Sequence, residues 1–282
     1  MNHSVTSTQA HKTNRHGAVR FEDAIYDRYC IETEYCDVSH PEVQALALEL
    51  TAGLDSTVEQ VRALFNWVRD EIKYVISHNW SLKASETLAV REGCCTNKAN
   101  LLIALLRAVG IPAAYELLRV RGKFYLGPAW IPMLKDLCDD ISAHVRVNVY
   151  LNGRWMKCDP TNDSVLSDSV SHFNPTAKRA VFDGENDALS FIDPDHVLGI
   201  MSPISDGDPI LGKRTRKPAI FFHMFNRFLE FGREHGPCYH GALEPIESMF
   251  QAWMQYMHPG ELEELDLTIA SMTQPIVRAA AA

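Results

Sequence analysis

The stretch Arg91-Glu-Gly-Cys-Cys-Thr-Asn-Lys-Ala-Asn-Leu-Leu-Ile-Ala-Leu-Leu-Arg-Ala-Val-Gly-Ile-Pro-Ala113 decides the fold of this chain. Leu101, Leu102, Leu105 and Leu106 recur at helical spacing, and Ala99, Ala104 and Ala108 are good helix formers. Gly110 and Pro112 stop the helix. Gly93 permits a close backbone approach just ahead of it. The pattern therefore puts Cys94 and Cys95 at the first turn of a buried helix. Free amide N–H groups and the helix dipole favour an anion there, so a thiol at that point ionises more easily. The thiolate is a nucleophile and the neutral thiol is nearly inert. The plain alternative is two small core cysteines, because free cysteine is among the most buried residue types.

Downstream, Ala143-His-Val-Arg-Val-Asn-Val-Tyr-Leu151 alternates as a strand does, with His144 near its start. Asn152-Gly153 is a hairpin turn, and Arg154-Trp-Met-Lys-Cys-Asp159 reads as the returning strand. A hairpin of this length can place His144 and Asp159 on neighbouring strands. Packed on the cysteine helix, Cys95, His144 and Asp159 can supply a nucleophile, a base and a group that orients the base.

These blocks resemble the transglutaminase-like superfamily, the papain-like Cys-His-Asp enzymes. The family's cysteine block runs Gly-x-Cys-x-x-x-Ala, then a Leu-rich helix, then Arg-Ala-x-Gly-Ile-Pro-Ala. Gly93, Cys95, Ala99, Arg107, Ala108, Gly110, Ile111, Pro112 and Ala113 match it. That register implies Cys95, not Cys94, as the nucleophile. The family's strand-opening histidine matches His144, and its aspartate before Pro-Thr matches Asp159, Pro160 and Thr161. The resemblance covers roughly residues 55–165 and keeps the family order. It departs after the histidine, where the family often reads His-Ala-Trp-x-Glu. Here Arg146 and Asn148 replace the aromatic and the acid, which implies altered specificity with the triad intact.

The chain has 282 residues, enough for one large domain or a domain with an extension. Its 46% hydrophobic and 22% charged content is ordinary for a soluble globular protein. The formal charge of −9 argues against a general nucleic-acid or anionic-membrane binder. Residues 1–18 show no apolar run behind a basic start. The apolar helix Leu101–Ile111 carries Arg107 and is too short to span a bilayer. Seven scattered cysteines form no small-domain framework, so a reduced, cytoplasmic protein is expected. Cys94, Cys95, Cys138, His144 and Cys158 lack zinc spacing, with no Cys-x-x-Cys pair and no close histidine pair. The dispersed aspartates after Thr161 form no calcium loop. No cofactor or metal is expected.

Residues 1–20 read as a disordered tail, 21–185 as the catalytic core, and 186–282 as a loop-rich and helical extension packed on it. Residues 21–40 suggest a strand or arm. Pro41–Ala52 is a helix with Val43, Leu46, Ala47 and Leu50 on one stripe. Ser56 or Thr57 can cap the next helix, which runs to about Tyr74 with Val58, Val61, Leu64, Phe65, Val68 and Ile72 inward. Asp70-Glu-Ile-Lys-Tyr74 resembles the family run ahead of the cysteine block. A short helix is expected near Ala84–Leu88 and a strand over Ala114–Arg121. In the loop before the cysteine, the Trp80 N–H or the Asn79 amide could serve as an oxyanion donor; a packed loop tryptophan is the alternative. The Cys95 backbone N–H is a donor that the helix start offers without special geometry. The long insert Gly122–Asp140 holds Tyr125 and Trp130 and could wall a substrate cleft; a loop anchored by a packed tryptophan is the alternative. Lys213–Lys217 reads as a solvated basic loop. Phe221–Phe231 and Pro245–Met257 are apolar helices that serve the core or a homodimer contact.

The expected architecture is α+β: a papain-like core with the nucleophile helix packed on a small antiparallel sheet, and a C-terminal helical extension. The expected chemistry is cysteine-based acyl transfer from a peptide, an amide or a carrier-bound thioester to an amine or water, through an acyl-enzyme. Amide-bond formation in a natural-product pathway and a non-catalytic binding module are the alternatives.

Overall fold

The cysteine helix occupies the centre of the fold. In the computed structural model the described residues are 21–123, 138–170, 179–190, 192, 194–212, 217–235, 245–264 and 267. Among them, in chain order, lie α1 (Phe21–Tyr29), α2 (Pro41–Thr51), α3 (Thr57–Glu71), β1 (Lys73–Tyr74), α4 (Ala84–Val90), β2 (Glu92–Gly93) and α5 (Cys95–Ala108). There follow β3 (Ala113–Arg121), β4 (Ile141–Leu151), β5 (Arg154–Cys158), α6 (Ser164–Val170), β6 (Val197–Ile204), α7 (Asp208–Leu211), α8 (Ala219–His235) and α9 (Pro245–Tyr256). The expected tail, the expected wall residues Tyr125 and Trp130, and most of the basic loop fall outside the described residues.

Every side chain of α5 from Thr96 to Arg107 is buried. A helix enclosed on all sides needs partners all round. Here α2, α3 and α4 cover one side, and β3 and β4 the other. The inward stripe Val61, Leu64, Phe65 and Val68 of α3 is buried in this core, as are Val43 and Ala47 of α2. The polar residues of α5 are reconciled with burial by backbone carbonyls. Lys98 Nζ donates to the carbonyls of Arg69 at 2.9 Å and Ile72 at 2.5 Å, where the end of α3 has no helical donors left. Arg107 donates to the carbonyls of Ala113, Ile31 and Ser205 and so ties three distant segments to one helix.

β3, β4, β5 and β6 form one antiparallel sheet in the order β5-β4-β3-β6. The β4–β5 turn uses Asn152 (φ 53°) and Gly153 (φ 79°), both left-handed, as a two-residue hairpin matched to strand twist requires.

Several expectations are corrected. Residues 21–29 form a helix, not a strand or arm. The third helix ends at Glu71, because Lys73–Tyr74 instead pair in parallel with Glu92–Gly93. Ser56 occupies the N-cap position of α3 but its side chain makes no capping bond. Strand β6 was not anticipated. It contains Gly199 and Pro203 and exposes Leu198, Ile200 and Met201, so it lacks the alternation of a half-buried strand. As an edge strand it tolerates both residues. Because β6 pairs with β3, the sheet draws on residues from both sides of the expected 185/186 boundary.

In the C-terminal part, Ile220, Phe221, Met224, Phe225, Phe228 and Phe231 of α8 share a second core with Trp253 and Met257. A third cluster joins the two parts: Tyr74, Cys94 and Leu166, flanked by Trp80 and by Leu229 of α8. Among the described residues no helix is long and apolar enough to cross a membrane.

Candidate active site

Cys94 is the N-cap of α5 and Cys95 its first helical residue. Asn97, in the first turn, organises this end. Its Oδ1 accepts from the Cys94 N–H at 3.1 Å and from the Cys94 Sγ at 3.0 Å. Its Nδ2 donates to the carbonyls of Asn79 at 3.2 Å and Trp80 at 3.3 Å. Gly93 is required by this arrangement, since a Cβ there would stand 2.7 Å from the Asn97 Cβ. The same contacts locate the Asn79–Trp80 loop beside the cysteines. The Trp80 indole N–H donates to the Ser77 carbonyl within its own loop at 3.1 Å. Asn79 is half-buried in the same loop, its backbone N–H bonded to Ser77 Oγ.

His144 lies on β4, and Asp159 directly follows β5. Their side chains meet at 2.8 Å between Nε2 and Oδ2, with His144 nearly buried and Asp159 fully so. Asp159 Oδ1 accepts from the Thr161 N–H at 3.1 Å, and the Asp159 N–H donates to the Ala188 carbonyl at 2.8 Å. The carboxylate is thus clamped from both sides of the hairpin end. The Cys95 sulfur, at the start of α5, and the His144 ring each act on the other's charge. Since Nε2 is taken by Asp159, Nδ1 is the ring nitrogen left for the thiol.

Burial works against charge on His144, but the Asp159 carboxylate and the Cys95 sulfur outweigh it and push the imidazole up to about 10. Burial likewise disfavours the Asp159 carboxylate, yet His144 and the Thr161 donors hold it below the usual range. A Cys95 thiol directed at Cys94 would lower Cys94 to about 7 and raise Cys95, while burial raises both and His144 pulls Cys95 down. The Asn97 amide argues instead that Cys94 keeps its proton and donates it to Oδ1. Its Nδ2 is committed to two carbonyls, so its Oδ1 faces Cys94 and needs a donor there. A Cys94 thiolate would face that oxygen unfavourably. Two adjacent buried thiols do not both ionise, and the single charge is therefore drawn to Cys95, beside the imidazolium.

Among the described residues no three His, Cys, Asp or Glu side chains converge on a possible metal position. A cavity of about 380 Å³ between Lys73–His78 and α8 involves none of Cys95, His144 and Asp159. Asn97 was not anticipated as a site residue. The signal available in the sequence was the polar run Thr96-Asn97-Lys98 opening an otherwise apolar helix.

Residues 44–160 match the family profile described as the transglutaminase-like superfamily. This segment belongs to that superfamily. Among solved structures, the transglutaminase-like chain is similar to a candidate cysteine protease from Cytophaga hutchinsonii, at 26% identity and a TM-score of 0.38, over 47% of this chain and 40% of that one. It is also similar to a candidate protease from Parabacteroides distasonis, at 18% identity and a TM-score of 0.32, over 48% of this chain and 25% of that one. The matches thus span less than half of either neighbour. No curated protein matches the chain.

Proposed function

We propose that this transglutaminase-like protein is a cysteine-nucleophile acyl-transfer enzyme. Cys95 is the nucleophile, His144 the general base and acid, and Asp159 the group that orients the imidazole and balances its charge. The observation that carries this reading is the buried His144–Asp159 pair beside the thiol at the start of α5.

The Cys95 thiolate adds to the carbonyl carbon of an amide or thioester, forming a C–S bond as the carbonyl pair moves onto oxygen. The Cys95 backbone N–H, in the first turn of α5, serves as the oxyanion donor in this reading, since the first amides of a helix have no helical acceptor. Collapse breaks the bond to the leaving amine or thiol, which takes the proton held by His144. Water or an amine then attacks the acyl-cysteine and gives a proton to His144. Loss of the C–S bond returns the thiolate and imidazolium. The donor is a peptide, an amide or a carrier-bound thioester, and the protein acts in the cytoplasm.

The test is intact-protein mass spectrometry after brief incubation with a panel of peptide, amide and thioester donors. An acyl adduct mapped to Cys95, and lost in Cys95→Ala, supports the reading. An adduct that survives Cys95→Ala overturns it. Adding a primary amine during turnover then separates transamidation from hydrolysis, because amide replaces acid as product only if amine reaches the acyl-enzyme.

A further inference from the structure

Arg146, two residues after His144, has no part in the chemistry proposed above. It stands in a row of three. On one side, β3 and β4 pair Glu116 directly with Arg146. On the other, the β4–β5 ladder ends on the pair Val147–Cys158, and Asp159 follows Cys158 directly. Directly opposed residues share a sheet face, with Cβ atoms about 4.5–5.5 Å apart. Arg146 therefore has Glu116 directly opposite it on β3, while Asp159 lies one step past the end of the ladder on its other side. It binds Glu116: Arg146 Nε and Nη2 each reach Glu116 Oε1 at 2.5 Å. Both side chains are buried, and Asn148 Nδ2 adds a contact to Glu116 Oε2 at 3.4 Å. Asp159 is left to His144.

We propose that Glu116 is a positioning residue for the active site: by holding Arg146 it reserves the Asp159 carboxylate for His144. The inference rests on the reading that Cys95, His144 and Asp159 act together. A guanidinium does not lose its proton in a protein, and its planar fork matches a carboxylate. Without the charge on Glu116, a buried and unpaired Arg146 turns to another carboxylate, and Asp159 stands one step past the end of the neighbouring ladder. His144 then loses its counter-charge and gains a cation beside its partner, so the imidazolium and the thiolate it supports both become less favourable. The other titratable groups around the pair are Cys94, Cys95 and Lys98, with Asp163, Asp70 and, on α8, Arg233 about Lys98. The variants below leave these unchanged.

The experiment measures the rate of Cys95 alkylation by iodoacetamide against pH, with peptide mapping, and needs no substrate. In E116Q the pH at which the reactive thiolate appears should rise by about one unit or more. In E116Q/R146M, which removes both charges, it should return to the wild-type value. An unshifted E116Q overturns the inference. So does a shift that persists in E116Q/R146M, because that traces the effect to lost packing at Glu116. Melting curves establish that each variant is folded. If E116Q does not fold, E116D decides: its shorter acid draws back from Arg146, so a smaller upward shift supports the inference and an unshifted profile overturns it. If wild-type Cys95 itself shows no thiolate reactivity below the range of an ordinary thiol, the catalytic reading fails with it. If it does and E116Q is unshifted, only the role of Glu116 fails.

Discussion

His144 Nε2 and Asp159 Oδ2 stand 2.8 Å apart across the β4–β5 hairpin, their side chains 6% and 0% exposed. At that burial the bond fixes the tautomer as well as the ring orientation. The carboxylate accepts at Nε2, so Nε2 carries hydrogen and Nδ1 is free to exchange a proton with Cys95.

Asp159→Asn is expected to keep the fold and slow acylation of Cys95 by about two orders of magnitude. That is smaller than the roughly four orders of the matching change in a serine-protease triad, because a thiolate–imidazolium pair is partly formed before substrate arrives. Asparagine can still accept from the Thr161 N–H, but it then offers its NH2 to Nε2. That favours hydrogen on Nδ1, the nitrogen that must take a proton. The check is single-turnover acylation beside a melting curve. Unchanged acylation in the folded variant would reduce the machinery to Cys95 and His144.

Limiting iodoacetamide is expected to label Cys95 at least about tenfold faster than Cys94. Cys94 is buried and donates to Asn97 Oδ1, whereas Cys95 is half-buried and faces His144. Peptide mapping that finds Cys94 modified and Cys95 untouched reverses the assignment.

The His144–Asp159 pair should also leave a pH signature on stability. A histidine raised to about 10 contributes stability in full below its unfolded value of 6.5 and loses it as pH rises through about 10. A lowered aspartate contributes above its unfolded value of 3.8 and loses that contribution as pH falls through its folded value. The stability gap between wild type and Asp159→Asn should therefore be widest between 3.8 and 6.5 and shrink steadily towards 10. Burial lowers Lys98 to about 7, which gives the opposite slope above that pH; Asp159 is the smallest of the named charges acting on Lys98, so most of this contribution is common to both proteins. Urea midpoints across this range test it; a gap independent of pH refutes the coupling.

Lys98→Met is expected to destabilise the fold by about 2–4 kcal/mol. Methionine fills a similar volume but leaves the Arg69 and Ile72 carbonyls without their donor at the end of α3. Removing a buried charge offsets part of that loss. Urea unfolding at neutral pH measures it, and a change below about 0.5 kcal/mol would mean that another donor or water takes over.

Much of the core was legible because its signals are local. The leucine spacing of Leu101–Leu106, the stop at Gly110, and the Asn152-Gly153 turn each depend on a few neighbouring residues, and the structure reproduces them as α5 and the β4–β5 hairpin. Strand β6 was not legible, since Gly199, Pro203 and its exposed apolar residues carry no period. Its place beside β3 follows from pairing across roughly eighty residues. The partner of the Trp80 indole could not be read either, because the Ser77 carbonyl is brought to it only by the path of the loop.

By itself the sequence determined that a helix begins at a cysteine pair, that a hairpin follows with a histidine near its start and an aspartate at its end, and that the three blocks keep the order of the transglutaminase-like family. Periodicity, turn chemistry and motif order are properties of short stretches, so no folded context was needed. Tertiary structure alone decided what surrounds those residues. It set Asn97 Oδ1 against Cys94 rather than Cys95, clamped Asp159 between His144 and the Thr161 N–H, and gave Arg146 to Glu116 across the sheet. Each of these is a choice among several chemically adequate partners. It is made by strand register and by the cost of leaving a buried polar group unpaired, and neither exists until distant segments have met.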